Sequence, residues 1–204
     1  MGFAKSLSRP GGNITGHSSM ASDIGFKQLE LLRAAIPNCS RIVVVLNPTN
    51  ALGSAAMRKT MENAGREFGM QITFFDARTG EEIERAFDAA KERRADAVFV
   101  GPDAFFIQAR EPIAELGLRH RLPTLFLQRE HAAAGGTMSY GPNVHEQYRR
   151  TAFYVDRILR GAKPGELPIE QPTKFELIIN LKTAKALGLA IPPSLLVRAD
   201  ELIQ

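Results

Sequence analysis

Eight residues of this chain are of types, and at spacings, that could hold a small polar ligand: Asn47, Thr49, Asn50, Ser54, Asp103, Phe105, Arg129 and Tyr140. The turn Asn47-Pro48-Thr49-Asn50 leads through Gly53 to Ser54 at a helix start. Unpaired backbone N–H groups and the positive end of the helix dipole suit a carboxylate or phosphate there. Asp103, after Gly101-Pro102, could accept hydrogen bonds from a ligand ammonium group. Arg129 offers a planar fork for a carboxylate, Tyr140 a ring and a hydroxyl, and Phe105-Phe106 an aromatic wall. Plainer readings stand beside these. Asn47-Pro48 is also turn chemistry, Ser54 a helix N-cap, and Asp103 a cap for the helix beginning near Phe105. Arg129 could equally pair with Glu130 or Asp103, and one of the two phenylalanines packs in the core.

Signatures of catalysis are missing. No Gly-x-Ser-x-Gly elbow, no Gly-Lys-Ser/Thr phosphate loop and no Gly-x-Gly-x-x-Gly fingerprint occurs. The four histidines, His17, His120, His131 and His145, lack metal-ligand spacing. His120 reads as a surface residue at a helix end, and His131 is the one histidine to test as an acid or base. Cys39 is alone, which excludes an internal disulfide and disfavours a structural zinc site. Polar groups without a nucleophile–base pair favour binding over catalysis. The expectation is a protein that is not an enzyme, with no cofactor and no metal.

The elements that must position these groups are strands. Apolar runs at 41–46, 96–100 and 122–127 each end in a polar turn. Near-continuous apolar runs are what strands buried on both faces look like, which predicts a parallel sheet. Open parallel sheets bind ligands outside the carboxyl ends of their strands, so the three turns share one rim. Helical patterns run from Ser22 or Asp23 as N-cap to Pro37, over 54–68, over 79–94 and over 105–120, with a strand at 71–75. A short segment at 130–134 precedes a small strand at 137–140. This alternation predicts right-handed βαβ units and an α/β fold with a doubly wound parallel sheet. Residues 1–20, rich in Gly, Ser and Asn, read as an arm or loop. Beyond Gly141 come a long helix over 142–160, a Pro/Gly-rich link, a strand at 175–180, a short helix at 183–187 and a tail, 192–204, read as one more helix. A strand this late need not join the earlier sheet.

The composition is that of an ordinary globular protein, 44% hydrophobic and 24% charged. A formal net charge of +4, with basic residues dispersed rather than striped, argues against nucleic-acid binding. No apolar run approaches the roughly 20 residues that span a bilayer. The first ten residues lack the apolar core and cleavage site of a signal peptide.

Several stretches resemble the substrate-binding proteins of bacterial ABC transporters, some members of which are linked to aromatic amino acids. The matching residues include Arg9-Pro10-Gly11-Gly12-Asn13-Ile14-Thr15-Gly16, Lys27-Gln28-Leu29-Glu30-Leu31-Leu32 and Gly136-Thr137-Met138-Ser139-Tyr140-Gly141. The longest and most specific run spans 171–189, from Gln171-Pro172-Thr173-Lys174-Phe175 to Ala186-Leu187-Gly188-Leu189. The resemblance implies two α/β lobes, joined by a hinge, that close on a small ligand. It implies that 1–20 form an N-terminal arm or hinge segment and 21–141 the ligand-binding lobe. Residues 142–204 would be the crossover helix, strand and tail of an incomplete second lobe, most of which would precede Met1 together with a signal peptide. Carried over by position, Asn47, Asn50, Ser54, Asp103 and Tyr140 are implied as ligand contacts, and Phe105 and Arg129 more loosely.

The function so implied is non-catalytic capture of a small carboxylate-bearing ligand, such as an aromatic or branched amino acid, for a transporter permease. The resemblance implies a periplasmic address, whereas the chain as written has no signal peptide and would be cytoplasmic. Two other readings stand: a ligand-sensing regulatory module of the same fold, and a flavodoxin-like enzyme. Residues 1–20 contain no helix-turn-helix, which weakens a DNA-binding version. A strand and helix deprived of the lobe they pack against would favour association, so a homodimer or swapped assembly is expected.

Overall fold

The computed structural model describes residues 3–21 and 23–204, and these divide into two compact units. One comprises 21–141 and 176–204, the other 3–20 and 142–175.

The first unit is built on a seven-stranded sheet in the order β2-β1-β3-β4-β5-β6-β7. Its strands are β1 Arg41–Leu46, β2 Gln71–Asp76, β3 Ala97–Val100, β4 Thr124–Phe126, β5 Met138–Pro142, β6 Phe175–Asn180 and β7 Glu201–Ile203. β1 pairs in parallel with both β2 and β3, and β3–β4, β4–β5 and β6–β7 are parallel as well. The chain winds outward from β1 to β2 and then returns to place β3 on the other side of β1. Strand order therefore reverses between β1 and β3, which is where doubly wound sheets bind ligands.

Alternation along β1 explains why both faces of the sheet are covered. Ile42, Val44 and Leu46 join one apolar cluster, and Val43 and Val45 the other. The first cluster takes Leu29 and Leu32 from α1 (Gly25–Ala35) and Met57 and Met61 from α2 (Ala51–Phe68). The second takes Ile83 and Phe87 from α3 (Gly80–Glu92), Phe106 from α4 (Ala104–Gln108) and Ile113 from α5 (Arg110–His120). Local chemistry sets the helix ends: Asn50 and Thr79 cap α2 and α3, and Gly69 closes α2 at φ 67°.

Several expectations are corrected here. α1 begins at Gly25 after Ile24, which gives no side-chain cap; Asp23 lies before that position and Ser22 outside the described residues. The helix expected over 105–120 is two helices meeting at Ala109, because Pro112 has no N–H for the Gln108 carbonyl and its ring crowds it. β6 does join the sheet, between β5 and β7, with Leu177 and Ile179 in the first apolar cluster. Residues 176–204 thus group with 21–141, and the stretch 142–204 does not stand together. The tail is not one helix. After α8 (Leu181–Ala186) and α9 (Pro193–Leu196), Asp200 clamps onto β6, its carboxylate accepting from Leu177 N at 2.9 Å and its own N–H donating to Leu177 O at 2.8 Å. That clamp turns the last residues into edge strand β7. The segment at 130–134 is α6 (Arg129–Ala133).

The second unit centres on α7 (Val144–Leu159), whose N-cap Asn143 accepts from Glu146 N at 2.9 Å. Tyr154 is buried and donates to Pro168 O at 2.7 Å, its ring edge-on to His17. Arg150 grips Glu170 in bidentate fashion at 2.9 and 2.7 Å, and Glu170 forms a parallel backbone bridge with His17. A cleft of about 380 Å³ in this unit is lined by His17, Gln147, Arg150 and Glu170, among others. On α7, Tyr148, Val155 and Leu159 are 74%, 50% and 82% exposed, an unpaired stripe at helical spacing.

Candidate functional site

The turn after β1 is held by its own side chains. Asn47 Oδ1 accepts from Thr49 N at 3.0 Å and from Thr49 Oγ1 at 2.7 Å, a side-chain-closed turn of the kind asparagine favours. Ser54 Oγ donates to Asn47 O at 2.6 Å, and Asn50 Oδ1 accepts from Gly53 N at 3.2 Å. Asn47 and Ser54 are buried, whereas Thr49 and Asn50 are exposed. Asn50, not Ser54, is the α2 N-cap; Ser54 pins the turn to the helix one turn further on.

The turn after β3 meets it. Asn47 Nδ2 donates to Asp103 Oδ1 at 2.9 Å, and the same oxygen accepts from Phe105 N at 3.0 Å, capping α4. Asp103 is half-buried, and its Oδ2 has no hydrogen-bond partner among the described residues. Gly101 makes the approach possible: a Cβ there would lie 2.5 Å from the Leu46 side chain. Phe105 is half-buried against the second apolar cluster, and Phe106 is the ring that enters the core. The structure therefore brings Asn47, Thr49, Asn50, Ser54, Asp103 and Phe105 into two adjoining turns at the strand-order reversal.

Arg129 follows β4 and Tyr140 lies in β5, and their contacts are with other groups than the two turns. Arg129 Nη2 donates to both carboxylate oxygens of Glu201 on β7, at 2.7 and 2.5 Å. That bond, above all, raises the guanidinium pKa further, and it ties α6 to the sheet edge. The partner is neither Glu130 nor Asp103. Tyr140 packs against the first cluster, on the opposite face from Phe105, and its backbone carbonyl accepts from Gln28 Nε2 at 2.9 Å. Its phenol pKa is raised by burial first and then by Asp200 and Glu30.

His131 and His120 both pack against aromatic rings. His131 is buried and stacked on Phe126 with ring centroids 4.4 Å apart, and burial holds its imidazole down to about 4. It is neutral at physiological pH and shielded from solvent. His120 is not a surface residue: its side chain is 11% exposed, with the ring against Phe87 and Nε2 3.6 Å from Asp88. Among the described residues no group of three or more His, Cys, Asp or Glu could hold a metal ion, and no helix is long and apolar enough to cross a membrane. One further polar side chain lies in a strand-end turn. Gln128, in the turn after β4, has a buried Oε1 without a partner among the described residues.

Two turns joined by the Asp103 carboxylate, next to the half-buried Phe105 ring, form the candidate site. The family model for ABC transporter substrate binding proteins matches residues 1–203, and the chain belongs to that family. It is 22% identical over 188 residues to the tyrosine-binding protein of Clostridioides difficile (strain R20291), a match covering 92% of this chain and 53% of that protein. The chain thus spans about half the length of this curated relative. A conserved domain protein from Vibrio cholerae superposes with a TM-score of 0.89 at 26% identity, over 98% of this chain and 66% of that one. The ABC domain in complex with L-Trp from Streptococcus pneumonia superposes with a TM-score of 0.87 at 24% identity, over 98% and 68%. The fold is that of a periplasmic-binding-protein-like α/β lobe.

Proposed function

We propose that this chain captures a small amino acid, preferably an aromatic one, as part of a solute-binding component serving a transporter permease outside the cytoplasmic membrane. The observation that carries the reading is Asp103, whose Oδ2 stands open at the strand-order reversal while Oδ1 is doubly bonded. An ammonium group satisfies that oxygen, the N-terminal turn of α2 suits the ligand carboxylate, and Phe105 supplies an apolar wall. The relatives named for tyrosine binding and for L-Trp support the ligand class. No step of catalysis is required by any group at the rim.

Residues 3–20 and 142–175 contribute, on this reading, to a second lobe completed by further chain of the kind that makes the relatives longer. The apolar stripe Tyr148–Val155–Leu159 is the face such chain would cover.

The chain contains no tryptophan, so L-tryptophan can be followed by its own fluorescence without protein background from that residue. Saturable anisotropy change with L-tryptophan, competed by L-tyrosine and unaccompanied by turnover, supports the reading. Absence of binding to every aromatic and branched amino acid overturns it.

A further inference from the structure

We infer that Asn47 is a positioning residue, fixing the Asp103 carboxylate so that its Oδ2 faces the ligand ammonium; the inference rests on the reading of this rim as an amino-acid site. The Asn47 side-chain oxygen is fully committed and one of its two amide N–H groups is as well. Oδ1 takes two hydrogen bonds from Thr49, and Nδ2 gives one to Asp103 Oδ1. The residue is only 8% exposed, and its backbone carbonyl takes bonds from Ser54 Oγ and Asn50 N. Such a side chain is held in one orientation by its own loop.

What it does offer is orientation. Asp103 Oδ1 is held from two directions, by the Asn47 amide and by the Phe105 N–H. Two donors on one oxygen fix the plane of the carboxylate, so the other oxygen is presented in one place instead of rotating. An acceptor fixed before the ligand arrives loses less entropy when the ammonium binds. Thr49 acts one step back: its hydroxyl and N–H hold the Asn47 amide in the flip that points Nδ2 at Asp103. The chain of contacts is Thr49 to Asn47 to Asp103, and only the last touches the ligand. Asn47 and Asp103, fifty-six positions apart, meet where β1 and β3 lie side by side.

The test compares two ligands that differ only in the ammonium group, L-tryptophan and indole-3-propionate. Asn47→Ala is expected to weaken L-tryptophan about tenfold, the loss of a hydrogen bond to a charged group, and to leave indole-3-propionate unchanged. In an Asp103→Asn background Asn47→Ala should cost L-tryptophan nothing further. Equal weakening of both ligands would mean that Asn47 merely holds the loop together. A full tenfold loss persisting in the Asp103→Asn background would mean direct contact, and either result overturns the inference. A second measurement needs no ligand. The two Asn47 Nδ2 protons should resonate far apart in wild type and converge in Asp103→Ser, which keeps a helix cap but cannot reach Asn47. Unchanged resonances in Asp103→Ser refute the positioning role whatever the protein binds, whereas failure of wild type to bind L-tryptophan with the resonances as expected refutes only the amino-acid reading.

Discussion

Asn47 Nδ2 donates to Asp103 Oδ1 across 2.9 Å, joining the ends of β1 and β3 where the strand order reverses. The bond makes one rim out of two turns. Asp103→Ala should therefore do two separable things. It removes the α4 cap, costing about 1 kcal/mol of stability, and it removes the proposed ammonium partner, weakening an amino-acid ligand by roughly ten- to a hundredfold. Asp103→Asn keeps the cap, so thermal denaturation should separate it from Asp103→Ala while calorimetric titration shows both weakened.

His131 predicts a pH dependence. Its pKa is about 4 when folded and 6.5 when free, so between these values the unfolded state binds the extra proton. The contribution is complete above about pH 6.5 and is lost as the pH falls towards 4, a total of roughly 3 kcal/mol. Denaturant unfolding across that window should show stability falling with acid, and His131→Phe should flatten the slope. Glu30, Asp96 and Glu170, whose pKa values are lowered from 4.5, 3.8 and 4.5, add to this at its acid end and below, losing their contributions as they protonate.

Arg129 and Glu201 form an ion pair with both side chains more than a third exposed. Such pairs contribute at most about 1 kcal/mol. Arg129→Ala is expected to shift stability within that limit and to leave ligand affinity unchanged, by the same titrations. A large loss of affinity would return Arg129 to the site.

Much of this was readable in the chain, and the reasons for what was not are specific. β1 and β3 announce themselves because both faces are buried, leaving unbroken runs of Val, Ile, Leu and Phe. The rim turns were legible as turns, since Asn47-Pro48 and Pro102-Asp103 follow those runs. Their bond was not, because nothing local says that residues fifty-six apart meet. The same holds for Arg129, whose partner lies seventy-two residues on. The tail misled because its fate depends on the Asp200 clamp onto Leu177, a tertiary contact overriding a weak helical pattern. The break at Ala109 is legible in Pro112, whose missing N–H outweighs the continuous helical pattern around it.

The α7 stripe makes a further prediction. The 204-residue chain by itself should self-associate at high concentration, with Tyr148, Val155 and Leu159 at the contact. Leu159→Glu with Val155→Glu should shift sedimentation towards monomer without changing the circular dichroism, since neither side chain is in a core. Association unaffected by both substitutions would place the contact elsewhere.

The most direct measurement is titration of the wild-type chain and of Asp103→Asn with L-tryptophan, followed by ligand fluorescence anisotropy. The account predicts saturable one-to-one binding by the wild type and a clear loss of affinity, about tenfold or more, in the variant. Equal affinities for the two proteins would contradict it.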